Sequence, residues 1–190
     1  QNVKPDIKPD VKKDYTWIFV SILALGFFTR IITAPVIEGW PGDIAINKHW
    51  AKTAAGSVFN FYNATWCDYP PLFIYVLIVV GKLSNISWLG IDFTTLIKIP
   101  SILADLVSAV IIHELVSNGI QVVNGKKTHY PGLGKIPGLV ACFIYLMHPV
   151  VIIDSTILGQ VDSFFTMIIL AELVFLANKR IVLSSVFFAF

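Results

Sequence analysis

Charged residues are scarce in this chain. Only 14% of its 190 residues are Asp, Glu, Lys or Arg, whereas a soluble domain has about 25%. Hydrophobic residues make up 56%, which is more than one core of this length can bury. The sequence therefore predicts an integral membrane protein whose surface is largely solvated by lipid. The net charge of +2 is too small to indicate nucleic acid as a partner.

Several catalytic signatures are also missing. The sequence has no phosphate-binding glycine loop, no nucleophile elbow and no His or Cys set at zinc-ligand spacing. These absences remove the usual sequence support for a P-loop enzyme, a serine hydrolase or a zinc enzyme, and we predict no metal and no cofactor. Cys67 lies in a polar segment and Cys142 in an apolar run, so we expect no disulfide between them.

The chain begins with a polar segment that repeats the tripeptide Lys-Pro-Asp. Dense proline disfavours a helix and alternating charges disfavour a core, so residues 1–15 are predicted to form a flexible cytoplasmic tail. The chain starts with Gln1 and ends inside the apolar run Ile181–Phe190. Because a span needs about 20 apolar residues, we expect this chain to be an N-terminal fragment truncated at its C-terminus.

Apolar runs predict an all-α, polytopic transmembrane protein, with one membrane module over residues 16–190. The predicted spans cover residues 16–37, 95–116, 137–154 and 160–177, and a fifth begins at Ile181. The run Leu72–Leu83 is short for a span, and we predict that it lies along the membrane surface.

Basic residues predict the orientation of these spans. Lys126 and Lys127 follow the 95–116 span, and Lys179 and Arg180 follow the 160–177 span. If Leu72–Leu83 does not cross, both pairs lie on the same side as the basic tail, which the positive-inside rule assigns to the cytoplasm. Residues 38–94 then form the first external loop, on the outer or lumenal side of a plasma or endoplasmic reticulum membrane.

This orientation places most of the unusual polar residues at the outer surface, where intramembrane polar groups often serve function. Asp43 is either the N-cap of a helix that starts at Ile44 or a general base, and Asn47 and Trp50 share its helical face. Asp68 and Tyr69 precede two prolines, which predict a rigid turn into the next helix. The turn either serves only to start that helix or also presents Asp68 and Tyr69 to the same cavity as Asp43.

Four further charged residues are open to more than one interpretation. Lys98 and Asp105 lie in a polar stripe, where Lys98 either neutralises Asp105 or binds a lipid phosphate. Asp162 either interacts with a helix dipole or lines a cavity with Gln160. Arg30, near the outer end of the first span, either snorkels to the interface or is one of the intramembrane charges that serve function.

The order of these motifs resembles that of the GT-C glycosyltransferases. The motifs are Gly42-Asp43 with His49-Trp50, Asp68-Tyr-Pro-Pro-Leu72, Lys98-x-Pro-x-x-x-Ala-Asp105, His148-Pro149 and Gly159-Gln-Val-Asp162. The sequence is most similar to dolichyl-phosphate-glucose-dependent glucosyltransferases and to GPI-type mannosyltransferases with their prokaryotic relatives. The resemblance covers roughly residues 16–180 and implies surface-lying helices in the first external loop.

The resemblance also implies a function. A hexose would move from a polyprenyl-phosphate carrier, the donor substrate, to a hydroxyl on a glycan, lipid or protein acceptor, with inversion. Asp43 would be the catalytic base and Lys98 would stabilise the leaving phosphate. Substrate-binding roles would fall to the remaining candidates, His49, Trp50, Asp68, Tyr69, Asp105, Gln160 and Asp162. The alternative functions are a membrane transporter and a non-catalytic membrane assembly subunit.

Overall fold

A computed structural model describes residues 14–120 and 130–189. The predicted tail through residue 13 and the basic pair Lys126-Lys127 lie outside this part of the chain. The described residues form an all-α fold, apart from one antiparallel pairing of the two-residue strands β1 (Gly119–Ile120) and β2 (Tyr130–Pro131). The helices in chain order are α1 (Thr16–Thr33), α2 (Pro41–Gly56), α3 (Phe61–Ala64), α4 (Pro71–Leu83), α5 (Phe93–Asn118), α6 (Lys135–Met147), α7 (Pro149–Ile152), α8 (Asp162–Ala177) and α9 (Ile181–Phe188).

Two of the described helices, α1 and α5, are long and apolar enough to cross a membrane. A third candidate combines α6 with α7 and the π-helical turn Ile153–Leu158, which are bent by 50° relative to each other. The predicted span over 137–154 is thus a pair of helices broken at His148 that together are long enough to cross, and whether they cross stays a prediction. The break occurs because Pro149 disfavours helical geometry at the preceding residue, and His148 has the extended ψ of 122°.

Three α-helices and the 3₁₀-helix Ser87–Leu89 lie between α1 and α5. The longest of them, α2 and α4, pack closely because Gly81 has no side chain: a Cβ there would come within 2.1 Å of the Ala51 carbonyl oxygen. Helix α4 has 13 residues and is therefore about 20 Å long, which is short of the roughly 30 Å hydrocarbon core. Its length agrees with the predicted surface-lying helix, and its crossing state stays a prediction.

The apolar core has two parts. The larger part joins α2, α4, α5 and α8 through buried side chains that include Trp50, Phe73, Ile97 and Phe164. A smaller part is centred on Ala109, Cys142 and Leu146, and α1 packs against it. Cys67 and Cys142 are both free thiols.

A buried ion pair connects α1 to α5 and α6. The Arg30 side chain donates from Nε to Asp105 Oδ2 over 2.8 Å, and neither side chain is exposed. Its Nη1 also donates to the carbonyl oxygens of Gly26 and Leu146, at 3.1 and 2.9 Å. The snorkelling interpretation of Arg30 is wrong, because a carboxylate from another helix neutralises the guanidinium inside the protein.

Candidate functional site

The candidate site lies where the end of α1, the start of α2 and the start of α8 meet the first half of α5. Trp40 N donates to the carbonyl oxygen of Leu158, over 3.3 Å. Gly159 has a φ of +71°, and a Cβ there would lie 2.7 Å from Ile44 Cδ1. This close approach lets the segment before α8 lie directly against α2 and α5.

Asp43 lies in the first turn of α2, but it is not the N-cap. The helix begins at Pro41 with Trp40 as the capping residue, because proline fits the first helical position without losing a needed N–H. Asp43 is half-buried, and Gln160 donates a hydrogen bond from Nε2 to Asp43 Oδ2. The structure therefore corrects the N-cap interpretation and brings together two predicted site residues that are far apart in sequence.

Lys98 is fully buried and holds the end of α1. Its Nζ donates to the Ala34 carbonyl oxygen over 2.8 Å and also to the carbonyl oxygen of Ile37. A cation at this place satisfies carbonyls that a helix C-terminus leaves without partners. The interpretation that Lys98 neutralises Asp105 is wrong, because Asp105 pairs with Arg30. Asp105 itself is buried halfway along α5, beside Arg30 and not beside Asp43 and Gln160.

Aromatic rings form the next part of the site. Trp50 is buried and donates from Nε1 to the Trp66 carbonyl oxygen over 2.8 Å. The Tyr69 ring meets the Trp50 ring edge-on, with 5.4 Å between centroids. Burial raises the pKa of Tyr69, and the negative charges of Asp68, Asp162 and Asp43 raise it further. Tyr69 therefore stays a neutral hydroxyl beside three carboxylates.

The acidic residues near the start of α2, α4 and α8 differ in exposure. Asp68 and Asp162 are exposed, whereas Asp43 and Asp154 are half-buried. Asp162 is the first residue of α8, where a carboxylate interacts favourably with the helix dipole, as one of the two alternatives predicted. Ser163 Oγ lies 3.5 Å from Asp154 Oδ2 and donates to it. The arrangement can attract a cation or accept hydrogen bonds from hydroxyl groups.

His49 lies on another face of α2 from Asp43, which it follows by six residues. Its Nε2 is 3.1 Å from Thr65 Oγ1, in a surface pocket of about 350 Å³ that Trp50 and Trp66 also line. The structure thus joins Asp43 to Gln160 and places Tyr69 against Trp50, with Asp68 and Asp162 near Tyr69. His49 meets only Trp50 of these residues, and Asp105 lies apart from them, paired with Arg30.

Sequence analysis missed an apolar groove between α4, α5 and α8. It has a volume of about 510 Å³, and its lining includes Leu72, Val76, Leu103 and Phe164. Only its general apolar character was visible, because residues from three distant segments form it. In the described part of the chain, no three His, Cys, Asp or Glu side chains are grouped to hold a metal ion.

Comparison with known families identifies a family other than the glycosyltransferases that the order of the motifs resembles. The model of the family described as GPI transamidase subunit PIG-U matches residues 51–190, which is more than half of the chain. The chain belongs to the PIG-U family. No curated protein and no solved structure matches it.

This membership supports the assembly-subunit alternative better than the predicted sugar transfer, because the family is described as a subunit of a transamidase. The matched residues include Asp68, Lys98 and Gln160, while Asp43 lies before them. Membership in a membrane-complex family and the two candidate spans agree in making the chain an integral membrane protein.

Proposed function

We propose that this chain is a non-catalytic membrane subunit of a GPI transamidase. The observation that carries the proposal is the family match over residues 51–190. The chain would contribute membrane-embedded helices and an outer surface to which protein partners and lipid bind. The acyl-transfer reaction itself would take place on another subunit.

The burial of Lys98 supports a structural role for this residue, which the resemblance had made the cation beside the leaving phosphate. A residue that stabilises a leaving phosphate needs an ammonium that the phosphate can reach. The Lys98 side chain is instead fully buried, with hydrogen bonds to two backbone carbonyls of the α1 end. Releasing it for a ligand would leave those carbonyls without their partner.

The state of Asp43 supports the same conclusion. A general base needs a carboxylate within hydrogen-bond reach of the proton that it removes. Here Gln160 already donates to Asp43 and ties α2 to the segment before α8. We therefore assign this contact to holding the outer ends of the helices together.

The proposal is tested by purifying the tagged full-length protein from its native membranes. We expect it to be retained in a stable complex that has GPI transamidase activity, and we expect that activity to fall when the protein is depleted. Asp43→Asn, restored to depleted cells, should leave transamidation within about threefold of wild type, because a neutral amide can still accept from Gln160. Wild-type protein is the positive control, and the empty vector is the negative control.

Two results would refute the proposal. One is a protein that purifies alone while transamidation in depleted membranes remains normal. The other is a loss of turnover by about 10²–10⁴-fold in Asp43→Asn with the complex intact, which is the effect of removing a general base.

Hexose transfer from a polyprenyl-phosphate donor is a second candidate function. It is favoured by the carboxylates of Asp43, Asp68 and Asp162, which are close enough to Tyr69 to raise its pKa. Its test is an in vitro transfer assay on the full-length protein with a panel of polyprenyl-phosphate sugars. Product formation that Asp43→Asn abolishes would favour this function over the subunit proposal.

A further inference from the structure

Two Asn-x-Ser/Thr sequons lie in the predicted first external loop. They are Asn63-Ala-Thr65 and Asn85-Ile-Ser87, and the sequence contains no other. A sequon is an acceptor for an N-linked glycan when it lies on the surface of an external or lumenal segment. The basic residues predict that side for residues 38–94, and the segments predicted to face the cytoplasm contain no sequon. The surroundings of the two asparagines decide between them.

Asn85 lies in the connection between α4 and α5, and both functional groups of its sequon are free. The Asn85 and Ser87 side chains are exposed, and neither makes a hydrogen bond with another described residue. The side-chain hydrogen bonds of this connection belong to Ser84, which donates to the Gly81 carbonyl oxygen, and to Asp92, which caps α5. Backbone hydrogen bonds here join residues only three or four positions apart. A transferase can therefore reach the Asn85 amide without separating two helices.

The Asn63 sequon is engaged in contacts. Asn63 Nδ2 donates to Asn60 Oδ1 over 3.1 Å, and Thr65 Oγ1 lies 3.1 Å from His49 Nε2 on α2. Transfer uses the asparagine amide as the nucleophile and needs the hydroxyl two residues later for recognition. Presenting both groups of this sequon to an enzyme would break the contact between the end of α3 and α2. The structure therefore favours Asn85 over Asn63 as the acceptor.

The connection that carries Asn85 lies in water and not in hydrocarbon. The charged residues Lys82 and Asp92 on either side of it are exposed, and a charged side chain is costly inside a bilayer. Trp88 is 84% exposed and is a residue type that anchors at the headgroup level. A Cβ on Gly90 would meet no atom within 4 Å, so the surface around this turn is open. A bulky glycan has room at this place.

We propose that Asn85 is a site of N-linked glycosylation, with a polyprenyl-diphosphate oligosaccharide as the donor and a membrane oligosaccharyltransferase as the catalyst. Asn85 Nδ2 attacks C1 of the first sugar, and a C–N bond forms while the bond from C1 to the diphosphate oxygen breaks. The diphosphate leaves with the electron pair of that bond, and one amide proton passes to a base of the transferase. The proposal rests on the predicted orientation of residues 38–94 and is independent of the proposed subunit function.

The test is the state of Asn85 in the full-length protein purified from its native membranes. Mass spectrometry of the peptide that contains Asn85 should show, in most copies, a mass increase equal to a whole number of sugar residues. Asn85→Gln should abolish the corresponding shift in gel mobility. Ser87→Ala should abolish it as well, although the asparagine is still present, whereas Ser87→Thr should keep it because the hydroxyl remains. Wild-type elution on size exclusion shows that each variant is folded.

Asn63→Gln is the matched control, because it makes the same substitution in the other sequon and should leave the modification of Asn85 unchanged. A wild-type protein without sugar on Asn85 overturns the proposal, and this is the result expected if α4 crosses the membrane and places Asn85 in the cytoplasm. A modification that Ser87→Ala leaves in place overturns it too. So does a gel shift that Asn63→Gln removes and Asn85→Gln does not.

Discussion

Arg30 and Asp105 are a charged pair that lipid and water do not reach. Each side chain is fully buried, and the guanidinium also binds two backbone carbonyls. Tyr145 donates to the other carboxylate oxygen of Asp105, over 3.4 Å. In such a pair the desolvation cost is offset only while both charges are present. The two residues therefore depend on each other for their contribution to stability.

A double-mutant cycle tests this dependence. Arg30→Met and Asp105→Leu should each lower the free energy of unfolding in detergent by about 3–5 kcal/mol, because each leaves one buried charge without its partner. The double variant should lose less than either single variant, since no charge remains. Additive losses would contradict the assigned pair. Glu172→Gln, a charge change away from this pair, is the control.

Single residues show where sequence analysis reaches its limit. The position of Arg30 near a span end is compatible with snorkelling, and its true partner lies 75 residues away. Lys98 has the same difficulty, because it binds carbonyls 61 and 64 residues before it. Local spacing predicts neighbours on one helix, whereas these contacts depend on how helices pack. The sequence predicts that Asp43 and Gln160 lie near each other only through the topology, which places both residues at one membrane surface.

At the scale of elements, Gly159 sets the distance between the segment before α8 and helix α2. Its φ of +71° is a conformation that other residues adopt with strain. A Cβ would also lie 2.7 Å from Ile44 Cδ1 and 3.3 Å from Lys98 Cγ. Backbone conformation and lack of space thus both require glycine here.

Gly159→Ala should lower the free energy of unfolding by about 1–3 kcal/mol, through backbone strain together with the contact to Ile44. In an Ile44→Val background, which removes Cδ1, the substitution should cost less, and the remaining loss comes from backbone strain together with the contact to Lys98. Gly56→Ala is the matched control, because a Cβ there meets no atom within 4 Å. Equal effects at the two glycines would contradict the assigned role of Gly159.

Element boundaries were predictable where apolar runs and prolines agree. The predicted spans 95–116 and 160–177 differ by only a few residues from α5 and α8. Pro71 starts α4 next to the predicted start at Leu72. The error comes from interpreting Asp43 as a cap despite Pro41, and the feature that the sequence analysis did not specify is the bend of the 137–154 span at Pro149. In both places the missing N–H of proline decides where a helix begins.

At the scale of the whole molecule, the orientation depends on whether α4 crosses the membrane. Its length of about 20 Å is insufficient for a perpendicular crossing, and Gly81 holds it against α2. If α4 stays on one side, its two flanking segments share that side. The C-terminal ends of α5 and α8, which precede the two basic pairs, then face the cytoplasm, in agreement with the positive-inside rule.

Cysteine labelling tests this orientation. In a Cys67→Ser, Cys142→Ala background, Asn60→Cys and Ser87→Cys should react with a membrane-impermeant maleimide from the same side of sealed vesicles. Arg180→Cys should react only after permeabilisation when the other two react before it. All three positions are exposed, so access depends on membrane side alone. Labelling of positions 60 and 87 from opposite sides would mean that α4 spans the bilayer.

The ribosome makes the partners of Arg30 much later than Arg30 itself. Asp105 is translated 75 residues after Arg30, and Leu146 is translated 116 residues after Arg30. At about 5–20 residues per second, the ribosome produces Asp105 some 4–15 s after Arg30. Throughout that interval the nascent α1 carries a guanidinium whose eventual counter-ion does not yet exist. The buried, neutralised state of Arg30 therefore becomes available to the first helix only once α5, a helix made later, has been synthesised.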